Sequence, residues 1–176
     1  MAEKYLGENI KKLGFGLMRL PMIGEEIDME QTKHMVDTFM AKGFTYFDTA
    51  YVYIGGKSEV ALKEAVVDRY PRDSFQCATK LPLWDLKEAS EMEKVFQESL
   101  DRAGLEYYDF YLLHAMDTER VRKADELGAW DFVKKLKAEG RVKHIGFSFH
   151  DTAEALENIL KAHPEMEFVQ LQINYV

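Results

Sequence analysis

Polar residues with acid–base chemistry stand at the ends of apolar runs in this chain. The segment FDTAYVYIGGKSE, residues 47–59, leaves an apolar run at Asp48 and carries Tyr53 five residues later. Two later apolar runs end in Lys80 and in His114. A free tyrosine, with a pKa of about 10, donates its proton poorly near neutrality, but a nearby ammonium stabilises the phenolate. Such a set would suit protonation of an oxygen that gains negative charge, as a carbonyl oxygen does during hydride transfer.

Short apolar runs alternate with helical periodicity along the whole chain. The runs begin near residues 15, 44, 75, 109, 142 and 168, and several are apolar on both faces, which is typical of buried parallel strands. Five helices are predicted between them, over Asp28–Lys42, Ser58–Tyr70, Ser90–Ala103, Ala129–Glu139 and Thr152–His163. Ser58 is predicted to cap its helix, and Ser90 with Glu93 to form a capping box.

This alternation fits either a doubly wound open sheet or a barrel. A dinucleotide-binding doubly wound fold would place Gly-x-Gly-x-x-Gly after the first strand, whereas Gly14 and Gly16 lie inside the first apolar run. The repeat of about 30 residues favours an α/β fold of the (β/α)8 TIM-barrel type, of which the chain covers about six strands and five helices. Residues 1–176 are therefore predicted to form a single incomplete barrel domain. Because a closed barrel typically needs about 250 residues, we expect the chain to be the first three quarters of a longer enzyme.

In a barrel, the carboxyl ends of the strands meet at one mouth. The polar residues at those ends are Asp48, Tyr53, Thr79, Lys80, His114, Ser148, His150, Gln172 and Asn174. Each taken singly has an ordinary structural explanation, such as a turn cap, a solvated loop charge or a hydrogen-bonded structural histidine. Their joint position favours chemistry, in which Asp48 pairs with Lys80 and His114 orients a substrate oxygen.

Composition excludes several classes of function. The 176 residues carry a net charge of −8 and a sequence pI near 5.2, which argues against nucleic-acid or anionic-membrane partners. The single Cys77 cannot form an internal disulfide, and the first residues contain no apolar signal segment, so we expect a soluble cytoplasmic protein. The five histidines show no His-x-His spacing, so no metal is expected and a metal-dependent hydrolase is the weakest interpretation.

The segment FDTAYVYIGGKSE resembles the signature of the aldo-keto reductase family. The segments CATK, YLLH, GRVKHIGFS and LQINY resemble later strands of that family, so that the resemblance runs from about Leu13 to the end of the chain. It implies an NAD(P)H-dependent oxidoreductase that reduces aldehydes or ketones to alcohols. The implied catalytic residues are Asp48, Tyr53, Lys80 and His114, with Tyr53 as the proton donor.

The resemblance also implies a cofactor, usually NADPH with NADH as the alternative, that lies across the barrel mouth beside a small-molecule carbonyl substrate. Asp48 would contact the nicotinamide side, and Ser148 and Gln172 would hold the carboxamide. His150 is placed with this cofactor group, although Phe149 separates it from Ser148 where many relatives have an asparagine directly after the serine. Tyr51 is expected to pack in or to line the substrate mouth.

A second interpretation belongs to another functional class. The chain could be a truncated, non-catalytic barrel module that self-associates or binds a partner through open strand edges, because unpaired edges favour association. Cofactor binding distinguishes this module from the enzyme.

Overall fold

Parallel strands form one curled sheet in the computed structural model, which describes residues 10–173. In sheet order, the strands are β1 (Gly14–Gly16), β4 (Tyr46–Asp48), β5 (Gln76–Leu81), β6 (Tyr108–Met116), β7 (Val142–Phe149) and β8 (Phe168–Leu171). Neighbours pair in parallel throughout. The strands begin within two residues of the predicted positions, so the prediction of six barrel strands is confirmed.

A small antiparallel hairpin follows β1 and was not predicted. Its strands are β2 (Met22–Ile23) and β3 (Glu26–Ile27). Strands of two residues are too short for hydrophobic alternation to reveal them.

Helices connect the strands and cover one face of the sheet. They are α1 (Met29–Ala41), α2 (Lys57–Leu62, continued by a π turn over Lys63–Val67), α3 (Ser90–Ala103), α4 (Thr118–Leu127), α5 (Ala129–Ala138) and α6 (Ala153–Ala162). The described residues thus contain one helix more than the five predicted, namely α4. Its sequence TERVRKADEL is mostly charged, and only Ala124 and Leu127 are buried, so it has no broad apolar stripe. Asp117 nevertheless caps it by accepting from the Arg120 N–H at 2.7 Å.

Two of the predicted helix caps are wrong. Ser90 is the first residue of α3, and its hydroxyl donates to the Glu88 carboxylate rather than accepting from the helix. Gly56, not Ser58, precedes α2. Ser58 is fully buried and donates to the Leu17 carbonyl at 3.0 Å. That hydroxyl therefore satisfies a buried carbonyl beyond the end of β1, which outweighs its propensity to cap.

Side chains alternate between two layers of the sheet, as the strand period requires. One face packs against the helices and contains the fully buried Phe47, Cys77, Tyr111 and Phe147. Burial raises the pKa of the Cys77 thiol to about 12. The other face contains a smaller apolar cluster around Phe110 at its amino end, and polar side chains towards the carboxyl ends of the strands.

No helix between residues 10 and 173 combines the length and the apolar character that crossing a membrane requires.

Candidate active site

Lys80 is the centre of the polar group at the sheet's carboxyl edge. Its side chain lies on the inner face of β5 and is 1 % exposed. Nζ donates to Asp48 Oδ1 at 2.7 Å, to the Thr49 carbonyl at 2.7 Å and to the Tyr53 hydroxyl at 3.2 Å. An ammonium has three N–H donors, so all three are used. A fully bonded, paired ammonium can remain charged in a buried position.

Residues 49–56 form the segment that we call the Tyr53 loop, which joins β4 to α2. The Tyr53 N–H donates to the Ala50 carbonyl at 3.1 Å and begins a short 3-10 turn. The next residues have left-handed φ values of 51° at Ile54, 63° at Gly55 and 88° at Gly56. Glycine adopts this conformation at low cost, but a β-branched isoleucine is strained there. The loop therefore needs support from its surroundings.

A bulge in β6 sets the direction of His114. The pairing between β6 and β7 shifts register between Leu113 and Met116, and Ala115 has a φ of 53°. The Ala115 N–H donates to Ser148 Oγ at 2.7 Å, and the Ala115 carbonyl accepts from Arg120 at 2.8 Å. Bulges of this kind redirect a neighbouring side chain.

His114 lies beside the tyrosine in an aromatic environment. Its ring centroid is 5.6 Å from that of Tyr53 and 5.2 Å from that of Trp84. Nδ1 is buried and has no hydrogen-bond partner among the described residues. Burial, followed by the positive charge of Lys80, lowers the pKa of the imidazole to about 3. The ring is therefore neutral near pH 7 and carries one N–H donor.

Asp48 is held from a second direction that the sequence did not reveal. Gln170 on β8 donates from Nε2 to Asp48 Oδ2 at 3.2 Å. The prediction from the sequence was Gln172, which lies two residues beyond Gln170 and just after the end of β8. The period of two along the predicted strand FVQLQINYV would place Gln170 and Gln172 on one face, and this was the only signal in the sequence that pointed to Gln170.

The proposed cofactor residues occupy two places. Ser148 is buried and accepts from the bulge at Ala115. His150 and Gln172 are exposed and line one surface cavity of about 550 Å³ next to α6. Asn174 lies outside the described residues. Across residues 10–173, no group of three or more His, Cys, Asp or Glu side chains is placed to hold a metal ion.

The aromatic residues Tyr51 and Trp84 complete the surroundings of the site. Tyr51 packs against α3 and donates to Glu98 at 2.6 Å. Of the two positions expected for Tyr51, packed inside the protein or lining the substrate mouth, the packed position agrees with this geometry. Trp84 is 39 % exposed, faces His114 and was missed by the sequence analysis. Its position just after β5 was the only available signal.

Comparison with known proteins identifies the family. Residues 12–176 match the model of the aldo/keto reductase family. A Glycine max protein named "Probable aldo-keto reductase 1" is 33 % identical to the chain, in an alignment that covers 96 % of the chain and 49 % of that relative. The chain spans about half the length of the curated relatives it matches.

Solved structures show the same fold. An aldo/keto reductase from Brucella melitensis is 28 % identical, with a TM-score of 0.68 over 91 % of this chain and 57 % of that one. An aldo-keto reductase from Klebsiella pneumoniae in complex with NADPH is 25 % identical, with a TM-score of 0.72 over 94 % and 55 %. The curled six-stranded sheet is accordingly part of a (β/α)8 barrel, and the chain belongs to the aldo/keto reductase family.

Proposed function

We propose that the protein is an NAD(P)H-dependent reductase that converts aldehydes or ketones into alcohols, with residues 1–176 contributing a single incomplete barrel domain. The observation that carries the proposal is the contact between the Lys80 ammonium and the Tyr53 hydroxyl at 3.2 Å. Membership in the family and the NADPH complex of the Klebsiella pneumoniae relative support the choice of cofactor.

The direction of the hydrogen bond at Tyr53 favours a proton donor. Lys80 has no acceptor, so it must donate to the phenol oxygen. The phenol's own hydrogen is then directed elsewhere, towards the mouth and a substrate oxygen. As that hydrogen is transferred, the adjacent ammonium stabilises the negative charge that develops on the phenolate. Tyr53 thus donates the proton, and Lys80 makes the donation easier.

Asp48 and His114 prepare the site for this transfer. The Asp48 carboxylate balances the buried ammonium at 2.7 Å and fixes its direction. The neutral His114 can donate one N–H to the carbonyl oxygen of a substrate without adding a charge to the mouth. The two side chains therefore orient the proton donor and the proton acceptor, respectively.

A nicotinamide cofactor fits the donors and acceptors at this edge of the sheet. Ser148 Oγ accepts from the Ala115 N–H, which leaves its hydroxyl hydrogen for an amide oxygen such as that of the nicotinamide carboxamide. Gln172 and His150 are polar and exposed beside α6, where they would extend the binding surface. When bound, the cofactor supplies a hydride to the carbonyl carbon. NADPH is proposed, with NADH as the alternative.

Titration with each cofactor tests the proposal. Quenching of the protein's tryptophan fluorescence is expected as NADPH is added, because Trp84 lies at the mouth beside His114. Addition of a small aldehyde should then oxidise the cofactor and form the alcohol in equal amounts. Absence of both quenching and turnover would contradict the assignment and favour the non-catalytic module.

The second candidate, self-association through strand edges, is favoured by one observation. β1 and β8 are the outer strands of the sheet among the described residues. Leu13, which precedes β1, and Leu171, the last residue of β8, are 53 % and 43 % exposed. We propose that these edges pair with a second copy of the chain. Light scattering that gives a monomer mass at all concentrations would contradict this pairing. The proposed location is the cytoplasm, supported by the free, buried Cys77.

A further inference from the structure

The guanidinium of Arg102, on α3, contacts both ends of the Tyr53 loop. Nη1 donates to the Tyr51 carbonyl at 3.2 Å, and Cζ lies 4.2 Å from the centroid of the Tyr51 ring. At the other end, a Cβ on Gly56 would lie 3.0 Å from Nη1, so the guanidinium packs directly against that glycine. Tyr53 stands between these two contacts in the chain.

Two carboxylates hold the guanidinium in this position. Glu98 lies 3.7 Å from Arg102 Nη2 and also accepts from the Tyr51 hydroxyl at 2.6 Å. Glu59 is fully buried and lies 3.5 Å from Arg102 Nη1. Its other oxygen accepts from Thr79 Oγ1 at 2.7 Å, and Thr79 directly precedes Lys80. The arginine is therefore connected to the loop that carries the phenol and to the strand that carries the ammonium.

The conformation of the loop makes such an anchor necessary. Ile54 and the two glycines after it are all left-handed. Residues in sparsely populated conformations persist only when surrounding contacts fix them. If the loop relaxed, the distance between the Tyr53 hydroxyl and Lys80 Nζ would lengthen, and a displacement of about 1 Å can cost on the order of 100-fold in rate.

We propose that Arg102 is a positioning residue that fixes the Tyr53 loop through the planar fork of its guanidinium. The inference rests on the proposed function, because a fixed position of the Tyr53 hydroxyl affects the rate only if Tyr53 donates the proton. The contacts of Arg102 described above are with Tyr51, Gly56, Glu59 and Glu98, and none of them is with the Tyr53 hydroxyl, Lys80 or His114.

Arg102→Lys tests the role of the fork while keeping the charge beside Glu59 and Glu98. Amide hydrogen exchange over residues 49–56 is expected to accelerate about tenfold, because local opening of the loop becomes easier. In the carbonyl-reduction assay, kcat is expected to fall on the order of 10-fold to 100-fold. The Kd for NADPH should stay at the wild-type value, because the contacts of Arg102 described above do not include Ser148, His150 or Gln172.

Arg141→Lys is the matched control. Arg141 also lies over an aromatic ring of α3, with Cζ 4.7 Å from the Phe96 centroid, and it pairs with Glu93 at 2.6 Å. Its side chain is 25 % exposed, close to the 30 % of Arg102. Its partners are not residues of the Tyr53 loop, so exchange over residues 49–56 and kcat should both match the wild type.

Wild-type exchange over residues 49–56 in Arg102→Lys would overturn the proposal, and so would faster exchange with an unchanged kcat. If Arg102→Lys does not fold, Tyr51→Leu removes the same stacking contact from the loop side. It should give the same rise in exchange, and an unchanged loop there would equally overturn the inference. A wild-type protein that reduces no carbonyl would contradict the proposed function, whereas the exchange measurement still decides whether Arg102 anchors the loop.

Discussion

Gln170 Nε2 donates to Asp48 Oδ2 at 3.2 Å, although the two residues lie on strands that are not neighbours in the sheet. The other oxygen of Asp48 accepts from Lys80 at 2.7 Å. The carboxylate is therefore held from two directions, which fixes its plane as well as its distance from the ammonium.

Gln170→Leu is expected to lower kcat by about threefold to tenfold, the loss of one hydrogen bond worth roughly 0.5–1.5 kcal/mol. The NADPH affinity should change little, because Lys80 still pairs with Asp48. Gln172→Leu is the comparison, and it is expected to raise the Kd for NADPH instead. Equal effects of the two substitutions in the same kinetic and titration assays would contradict the separate roles.

Tyr53→Phe is expected to remove the proton donor while leaving the ring in place. Positioned acid catalysis contributes on the order of 100-fold to 10,000-fold, and the loss should appear in kcat with cofactor binding preserved. Steady-state kinetics and fluorescence titration measure the two quantities. Tyr70→Phe is the matched control, because it removes only a hydroxyl that donates to Asp37, away from the Tyr53 loop. Near-normal reduction by Tyr53→Phe would exclude its role as the donor.

Hydrophobic periodicity predicted the sheet because its central strands β5, β6 and β7 are mostly buried between helices and an inner layer. It failed for α4, where charged residues surround Ala124 and Leu127. This helix buries too few apolar side chains to show an apolar stripe in the sequence. It also failed at Ser58 and Ser90, whose hydroxyls have local capping propensity but different partners in the folded chain. Capping propensity is local, whereas these partners are determined by tertiary packing.

The residues of the candidate site could be predicted where each directly ends an apolar run, as Asp48, Lys80 and His114 do. Gln170 could not be chosen over Gln172, because only the curl of the sheet decides which glutamine reaches Asp48. The bulge at Ala115 could not be predicted from the sequence either, because alanine has no preference for a φ of 53°. These features depend on contacts between distant parts of the chain.

Lys80→Met is expected to destabilise the protein as well as to inactivate it. The side chain is 1 % exposed, and its loss leaves the Asp48 carboxylate, itself 15 % exposed, without its cation. Breaking a buried pair by removing one partner typically costs about 3–5 kcal/mol of unfolding free energy. Urea unfolding measures this cost. The double substitution Lys80→Met with Asp48→Asn should recover part of the stability, and a double variant no more stable than the single one would contradict this explanation.

His114 is expected to make the stability of the protein depend on pH between about 6.5 and 3. Burial lowers the pKa of the folded imidazole to about 3, whereas in the unfolded chain it has its ordinary value of 6.5. Within this window only the unfolded state binds the proton, so the free energy of unfolding falls as the pH falls, by at most about 1.4 kcal/mol per pH unit. Above pH 7 both states are neutral, and His114 contributes no slope. Urea unfolding of the wild type and of His114→Gln over this range should give a shallower dependence for the variant, with parallel curves above pH 7. Identical slopes between pH 4 and 6 would show that the folded imidazole is protonated like that of the unfolded chain, and the neutral donor assigned to the mouth would then be wrong.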